Sequence, residues 1–354
     1  MQNKIVIDPV TRVEGHGKVT IHLDDQNKVT DSFFHIVEFR GFEKFVQGHP
    51  YWEAPVMVQR LCGICPVSHH LAAAKAIDRI VGLEPHELSI TAQKIRKLLH
   101  YGQIFQSHAL HFFYLASPDL LFGFKSGPEM RNVVGVAMEY PELAKKGILM
   151  RKFGQEIIKM VAGKKIHGIS TTPGGVHKKI TVRERDYFLN GKDIPSIDTM
   201  ISWSQEIIDF MKSYHSQNAH WLNEFATYPS GHLGLVNAEN GYLELYDGRL
   251  RAIDSMGHKT LDDIEDEEYQ HYFYEGVEKW SYLKFPYLKH LGRSEGWNRV
   301  GPLARLNVCE GISTPLAAYE RLQFLDANQG KTCNRTMFSH WARLIELLQC
   351  AEMM

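Results

Sequence analysis

The N-terminal part of the chain alternates apolar and polar residues in the manner of β-strands. Three segments rich in β-branched and aromatic side chains are predicted as strands: residues 4–7, 17–23 and 29–39. The turn Asp24-Asp25-Gln26-Asn27 separates the second strand from the third, and a polar insertion, residues 8–16, separates the first two. We therefore expect a small antiparallel sheet within an N-terminal β region that covers residues 1–45.

From Pro55 onward the apolar residues recur mostly at the spacing of α-helices. Helical segments are predicted at residues 91–115, 138–149, 153–161, 197–225 and 337–354, with further helical signal near 272–282. Pro118 is expected to end the first of these helices, because proline lacks the N–H that a continuing helix needs.

Residues 230–260 return to short runs typical of strands. The runs 233–236, 241–246 and 249–253 are separated by Asn-Gly and Asp-Gly, dipeptides that favour hairpin turns. No linker or repeat divides the rest, so residues 46–354 are expected to form one continuous domain. The predicted fold class is α+β, predominantly α: a helical bundle core with the N-terminal antiparallel sheet and a β-hairpin insertion near 230–260.

Composition narrows the class of protein. The 354 residues include 40 basic and 41 acidic side chains, a net charge of −1 that gives no indication of a nucleic-acid or membrane-surface partner. No segment reads as a secretory signal or as an apolar stretch of transmembrane length. Five cysteines, an odd number, argue against a disulfide framework and predict a reducing, cytoplasmic location.

The candidate chemistry lies in Cys62-Gly63-Ile64-Cys65-Pro66. The two residues between the thiols allow a tight turn that points both sulfurs at one centre, and Pro66 suits the first turn of a following helix. Such a thiolate pair suits a soft metal. A redox pair would follow a strand in a βαβ unit, and a zinc site would need further ligands that the scattered Cys309, Cys333 and Cys350 do not supply. From spacing alone, a metal site and two structural cysteines both remain open.

Five motifs along the chain resemble those of [NiFe] hydrogenase large subunits. They are Arg60-x-Cys62-Gly63-Ile64-Cys65-x-x-x-His69, Asp8-Pro9-Val10-Thr11-Arg12-Val13-Glu14-Gly15-His16, Phe39-Arg40-Gly41-Phe42-Glu43, Pro173-Gly174-Gly175 and Gly301-Pro302-Leu303-Ala304-Arg305-Leu306-Asn307. The residues between the motifs are most similar to the soluble, bidirectional, NAD-reducing branch of that family. The resemblance extends over the whole chain.

The resemblance implies a role for individual residues. Cys62 would bind nickel alone, and Cys65 would bridge nickel and iron. His69 would donate a hydrogen bond to the Cys65 sulfur and tune the metal. Glu14 would carry protons away from the site, which requires burial that raises the pKa of its carboxyl group. Glu43 would ligate Mg²⁺, a hard cation that prefers oxygen donors.

The resemblance also implies cofactors and partners. Iron would carry CO/CN-type ligands, and H₂ would be cleaved heterolytically. Electrons would pass to an iron–sulfur cluster in a small subunit, then to NAD through FMN-containing diaphorase subunits. The loop that bears His167 would lie toward the small subunit.

The C-terminal segment departs from the family pattern. Family members are longer and end with a second Cys-x-x-Cys followed by histidine, which this sequence lacks. We therefore expect a fragment with two of the four nickel ligands, inactive alone, and a missing partner for the apolar face of residues 337–354. Two alternatives are a metal-free structural, electron-transfer or assembly subunit, against which Cys62 and Cys65 argue, and a zinc-binding interaction module.

Overall fold

The structure is a computed structural model that describes residues 3–38 and 41–354. These residues form two compact units. The smaller unit combines the described residues up to Phe45 with Ile264–Asn298, and the larger combines Val46–Asp263 with Arg299–Met354.

The helices of the described chain run in this order: α1 (Phe42–Phe45), α2 (Ala54–Val58), α3 (Pro66–Ile80), α4 (Ile90–Leu110), a π-helical turn (His111–Ala116), α5 (Ser117–Phe122), α6 (Val133–Glu139), α7 (Pro141–Ala162), α8 (Val182–Asn190), α9 (Ile197–Leu222), α10 (Tyr269–Tyr272), α11 (Gly292–Glu295), α12 (Pro302–Val308), α13 (Pro315–Ala327) and α14 (Phe338–Met353).

The strands are β1 (Asn3–Ile7), β2 (Gly17–Leu23), β3 (Val29–Ile36), β4 (Thr171–Thr172), β5 (Gly175–Val176), β6 (Gly231–Val236), β7 (Arg249–Ile253), β8 (Lys259–Ile264), β9 (Phe273–Val277), β10 (Lys284–Leu288) and β11 (Asn298–Arg299). They pair in the orders β1-β2-β3, β4-β5, β11-β6-β7-β8 and β10-β9.

The smaller unit contains the predicted N-terminal sheet, with β1 and β3 antiparallel to the central β2. A second hairpin, β9–β10, belongs to the same unit. His35 on β3 contacts the Trp280 carbonyl through Nδ1 at 2.6 Å, and the indole of Trp280 lies 5.0 Å from the ring of Phe33. The backbone N–H of Tyr282 donates to the Ile36 carbonyl at 3.1 Å.

These contacts correct two sequence-based expectations. The helical signal near 272–282 was wrong, because only Tyr269–Tyr272 is helical and β9 follows at once. The expected domain over 46–354 does not include Ile264–Asn298, which clusters with the N-terminal sheet. Trp280 and Tyr282 in this segment contact β3, a long-range pairing that a helical pattern search does not detect.

The larger unit is the predicted helical bundle, built on the close pairing of α4 with α7. Glycines allow this approach: a Cβ on Gly154 would lie 2.6 Å from the Gly102 carbonyl oxygen. Residues 141–149 and 153–161 of the two predicted helices belong to the single helix α7, and residues 138–139 belong to α6. Pro118 does not end a helix; it lies in the first turn of α5, which follows the π-helical turn directly.

Helix α14 lies in the core of the larger unit. Eleven of its residues are buried, and it packs against α9, α4, α13 and α12. The expectation that its apolar face requires a missing partner is therefore wrong, since the chain's own helices cover that face.

The predicted β insertion is present as the sheet that contains β6, β7 and β8, but residues 241–246 do not form a strand. The carboxylate of Glu244 accepts the backbone N–H groups of Leu245 and Tyr246, each at 2.9 Å, and that of Asp247 at 3.3 Å. This local cap uses the donors that a strand ladder would need.

Candidate metal centre

The two thiols of the Cys-x-x-Cys segment occupy a turn between two helical elements. Cys62 follows the 3₁₀ turn Gln59–Leu61 in an extended conformation, and Cys65 is the N-cap of α3. Pro66 begins α3, as its sequence position predicts. The backbone N–H groups of Ile64 and Cys65 both donate to Sγ of Cys62, at 3.3 and 3.2 Å. Two donors directed at one sulfur stabilise negative charge on it, as a metal-binding thiolate requires.

The environment of the thiols differs between the two residues. Cys62 is buried, whereas Cys65 is partly exposed at the N-terminus of the 15-residue helix α3. The positive end of the helix dipole also favours a thiolate there. The geometry of the turn is therefore compatible with the two thiolate ligands that the sequence predicts for a soft metal.

Two buried glutamines of α4 donate hydrogen bonds to this turn. The side-chain N–H groups of Gln103 and Gln106 each donate to the Ile64 carbonyl at 3.0 Å. Sequence reasoning missed both residues. No sequence signal identifies them, because glutamines three positions apart on a helix are equally typical of a solvent-facing stripe.

His167 contacts the first thiol-bearing residue from the other side. Its Nε2 donates to the Cys62 carbonyl at 3.1 Å, and its Nδ1 accepts from the Arg60 guanidinium at 3.4 Å. The backbone of His167 has a φ of 55°, in the left-handed region, which marks a sharp loop. The resemblance placed this loop toward a small subunit, and that orientation stays a prediction.

A buried histidine fixes the same loop to α3. His70 contacts the Pro55 carbonyl through Nδ1 at 2.9 Å, and its Nε2 accepts from the Thr171 hydroxyl at 2.8 Å. The backbone N–H groups of Ser170 and Thr171 also point at Nε2, at 3.3 and 3.2 Å. Burial lowers the pKa of His70, which keeps the ring neutral and Nε2 available as an acceptor.

A buried ion pair holds the end of the loop. Arg96 pairs with Asp78 and also donates to the carbonyls of Thr172 and Gly175, each at 3.0 Å from its Nη2. The Asp78 carboxylate accepts the N–H of Gly174 at 2.7 Å. The Pro-Gly-Gly motif is thus clamped between α3 and α4.

His69, the predicted donor to the Cys65 sulfur, is partly buried on the first turns of α3. Burial lowers its pKa, so the ring is neutral at pH 7 and carries one N–H. A neutral ring is compatible with the donor role, and the bond itself stays a prediction.

The two predicted carboxylates lie in the smaller unit. Glu14 is exposed on the loop between β1 and β2, and Glu43 is exposed in α1. The surroundings of Glu14 within this unit do not provide the burial that a proton carrier needs. Placement of either carboxylate beside the thiols stays a prediction.

A second polar cluster, which the sequence did not predict, surrounds Glu346 of α14. Its carboxylate, 0% exposed, accepts two hydrogen bonds from Arg305 at 2.7 Å and contacts Nε2 of His108 at 2.9 Å. Burial would raise the pKa of Glu346, but the charge and hydrogen bonds of Arg305 outweigh it and lower the pKa to about 2. Burial lowers the pKa of His108 to about 4, and Nδ1 accepts from Arg343 at 3.2 Å.

Comparison with known proteins decides the family. A HoxL-like family profile matches residues 4–39, and a nickel-dependent hydrogenase profile matches residues 40–121. The beta subunit of the NAD-reducing hydrogenase HoxS of Cupriavidus necator is 48% identical over 99% of this chain and 72% of that protein. The chain belongs to the nickel-dependent hydrogenase large-subunit family.

Other relatives agree with this assignment. The vhu protein of the F420-non-reducing hydrogenase of Methanococcus voltae is 43% identical over 99% of this hydrogenase chain and 80% of that protein. The crystal structure of an NAD⁺-reducing [NiFe]-hydrogenase in the H₂-reduced state superposes with a TM-score of 0.94 at 50% identity, over 99% of this chain and 76% of that one. The predicted family and fold class are confirmed.

A more distant structure shows the fold alone. The [NiFeSe] hydrogenase variant of Desulfovibrio vulgaris Hildenborough gives a TM-score of 0.76 at 20% identity, over 99% of this chain and 77% of that one. Within residues 3–38 and 41–354 of this hydrogenase chain, no helix has the length and apolarity required to span a membrane.

The donor set of the described residues fits part of a nickel site. Cys62 and Cys65 offer two thiolates, which suit a soft metal. Within residues 3–38 and 41–354, no three His, Cys, Asp or Glu side chains come together in a way that could hold a metal ion. The metal role of Cys62 and Cys65 stays a prediction.

Proposed function

We propose that this chain is the catalytic subunit of an NAD-reducing [NiFe] hydrogenase complex, and that Cys62 and Cys65 bind its metal centre. The observation that carries the proposal is the turn itself. Two backbone N–H groups converge on the Cys62 sulfur in a chain that is 48% identical to an NAD-reducing hydrogenase subunit. A nickel–iron centre, when bound, supplies the redox chemistry that cleaves H₂ heterolytically.

The residues of this chain would hold and orient that centre. Cys62 would bind nickel with its charge stabilised by the two N–H groups, and Cys65 would bridge nickel and iron. His69, neutral because burial lowers its pKa, would donate its N–H to the Cys65 sulfur. The remaining metal ligands would come from polypeptide other than residues 3–38 and 41–354.

Two carboxylates would serve protons and a hard cation. Glu14 would accept the proton released by H₂ cleavage at its carboxylate oxygen. Because Glu14 is exposed within its unit, we propose that further polypeptide buries it in the complete complex. Glu43 would bind Mg²⁺ through carboxylate oxygen.

The NAD-reducing relatives support the proposal of partner subunits. We propose a small subunit with an iron–sulfur cluster as the immediate electron acceptor, diaphorase subunits with FMN as the route to NAD, and CO/CN-type ligands on iron. A cytoplasmic location is supported by Cys309, Cys333 and Cys350, which are buried thiols outside any disulfide.

The test compares metal content and activity in the assembled complex. The chain, joined to the polypeptide that supplies the remaining metal ligands and co-expressed with its small subunit, diaphorase subunits and nickel-maturation factors, should bind nickel and iron and reduce NAD⁺ with H₂. C62S and C65S should each lose nickel and H₂-dependent NAD⁺ reduction. C309S is the matched control and should retain both, because Cys309 is a buried thiol at the C-cap of α12 rather than in the turn.

Two outcomes would contradict the proposal. A purified complex without nickel but with intact assembly would favour the structural, electron-transfer or assembly subunit. Nickel retained in both cysteine variants would show that other ligands hold the metal. The isolated 354-residue chain is expected to bind no stoichiometric nickel, because it contributes only two of the thiolates proposed for the centre.

A further inference from the structure

The two glutamines behind the thiol turn converge on a single atom. Gln103 and Gln106 are 2% and 3% exposed, and each donates to the Ile64 carbonyl oxygen at 3.0 Å. A carbonyl oxygen has two lone pairs and accepts both hydrogen bonds. Residues three apart on a helix share a face, so α4 presents the two amides side by side.

That carbonyl belongs to the peptide group whose N–H contacts the Cys62 sulfur. The peptide group between Ile64 and Cys65 carries the carbonyl oxygen at one end and the Cys65 N–H at the other. This N–H donates to Sγ of Cys62 at 3.2 Å. Because a peptide group is planar, fixing its oxygen fixes the direction of its N–H. Hydrogen bonds in series also polarise and strengthen one another.

Burying the side chain of Gln103 costs free energy, and the hydrogen bond that its N–H donates is the only evident compensation in the described part of the chain. Its Oε1 is buried and accepts no hydrogen bond from the described residues. An unsatisfied buried acceptor costs about 1–3 kcal/mol. An apolar side chain of similar size would avoid that cost, so stability alone does not explain a glutamine here.

We propose that Gln103 and Gln106 are positioning residues of the metal-binding turn. They hold the 64–65 peptide group so that its N–H stays on the Cys62 sulfur, and the sulfur keeps the orientation in which it binds a soft metal. The metal part of this inference rests on the proposed function. The part that concerns the peptide group rests on the turn geometry alone.

The test uses Q103M, Q106M and the double variant in the full 354-residue chain. Methionine has a similar length and no N–H donor. Hydrogen–deuterium exchange of the peptide that covers residues 62–66 should become about tenfold faster in the double variant, because the Cys65 N–H then loses its one hydrogen bond to Sγ of Cys62. The apparent affinity for Cd²⁺, followed by sulfur-to-metal charge-transfer absorption, should fall about tenfold, with smaller losses in the single variants.

The matched control is Q93M on the same helix. Gln93 donates its side-chain N–H to the Leu88 carbonyl at 2.8 Å, away from the turn, and its loss should change neither measurement. C62S should remove the charge-transfer band, which assigns that band to this turn. If the double variant does not fold, as judged by circular dichroism, either single variant decides the question.

The outcomes separate the two parts of the inference. Unchanged exchange at residues 62–66 in folded variants, with only a lower melting temperature, would overturn the positioning role. Faster exchange in variants of a chain that shows no Cd²⁺ band at all would leave the positioning of the peptide group intact. That result would overturn only the binding of a soft metal by this turn in the isolated chain, whereas nickel content of C62S and C65S in the assembled complex decides the metal-binding role proposed for Cys62 and Cys65.

Discussion

The thiol turn and the cluster around Glu346 are both polar sites in the larger unit, but they are built in opposite ways. The turn is local: the N–H groups that contact the Cys62 sulfur come from residues two and three positions away. The cluster joins distant segments, because Glu346 meets Arg305 across 41 positions and His108 across 238.

The difference has an energetic consequence. The side chains that support the turn donate to backbone carbonyls, so substituting one of them removes a hydrogen bond but leaves no buried charge unpaired. The cluster depends on charged side chains that are themselves buried. Removing one partner there leaves another charge without compensation, which is much more costly. We therefore expect substitutions in the cluster to lower the free energy of unfolding most, and substitutions at the turn to lower it least.

The largest effect is expected for E346Q. The substitution removes the negative charge that two hydrogen bonds from Arg305 require, and it leaves that guanidinium paired with a neutral amide. We expect the free energy of unfolding to fall by about 3–5 kcal/mol. Urea unfolding of the full chain measures it.

The control for this change is E206Q, which removes an exposed carboxylate paired with Lys146. An exposed pair contributes about 0–1 kcal/mol, so E206Q should remain close to the parent. Equal losses in the two variants would show that the buried cluster is no more important than a surface pair.

A somewhat smaller effect is expected for R96M. Arg96 pairs with Asp78 and donates to loop carbonyls, so it combines a buried charge with backbone support. We expect the free energy of unfolding to fall by about 3 kcal/mol and hydrogen exchange in residues 170–177 to become faster. The double variant R96M/D78L should recover part of the loss, because it leaves no unpaired charge. A double variant less stable than R96M would contradict that explanation.

The third prediction concerns pH. Burial lowers the pKa of His108 to about 4, against an ordinary value of about 6.5 in the unfolded chain. The unfolded state therefore binds the proton first, and the stabilisation from the neutral ring, complete above about pH 6.5, is lost as the pH falls toward 4. Urea unfolding between pH 5 and 8 should show a loss of roughly 2 kcal/mol by pH 5 from this residue.

A matched pair of variants isolates that contribution. H108Q keeps a side-chain donor for Glu346 and should flatten the acid dependence by about 1 kcal/mol per pH unit. H220Q, on the exposed face of α9, should keep the acid dependence of the parent. An identical slope in H108Q and in the parent would show that other groups cause the acid sensitivity.

The contrast between turn and cluster also explains which features could be predicted from the sequence. The thiol turn, the helix that Pro66 begins and the strands β1 to β3 are specified by neighbouring residues, so their patterns predicted them. The role of Gln103 and Gln106 could not be predicted in the same way, because it depends on the packing of α4 against Ile64. The pairing of Trp280 with β3 likewise depends on residues 245 positions apart.

Buried charge was the hardest feature to predict. The segment 337–354 shows an apolar helical period, and nothing in that pattern marks Glu346 as a buried charge. Its partners lie on α4 and α12, and only the packed bundle brings the three helices together. The same packing covers the apolar face of α14, which the isolated pattern made to look unpartnered.

The smallest effect is expected for H167F, beside the thiol turn. The substitution removes the hydrogen bond to the Cys62 carbonyl at 3.1 Å and the contact with Arg60, while the bonds within the turn remain. We expect the free energy of unfolding to fall by about 1 kcal/mol, the contribution of one hydrogen bond at a partly exposed site. Hydrogen exchange should accelerate near residue 167 and hardly change at 62–66. A loss as large as that of E346Q would mean that the turn depends on distant side chains as strongly as the cluster does, and the distinction between the two sites would fail.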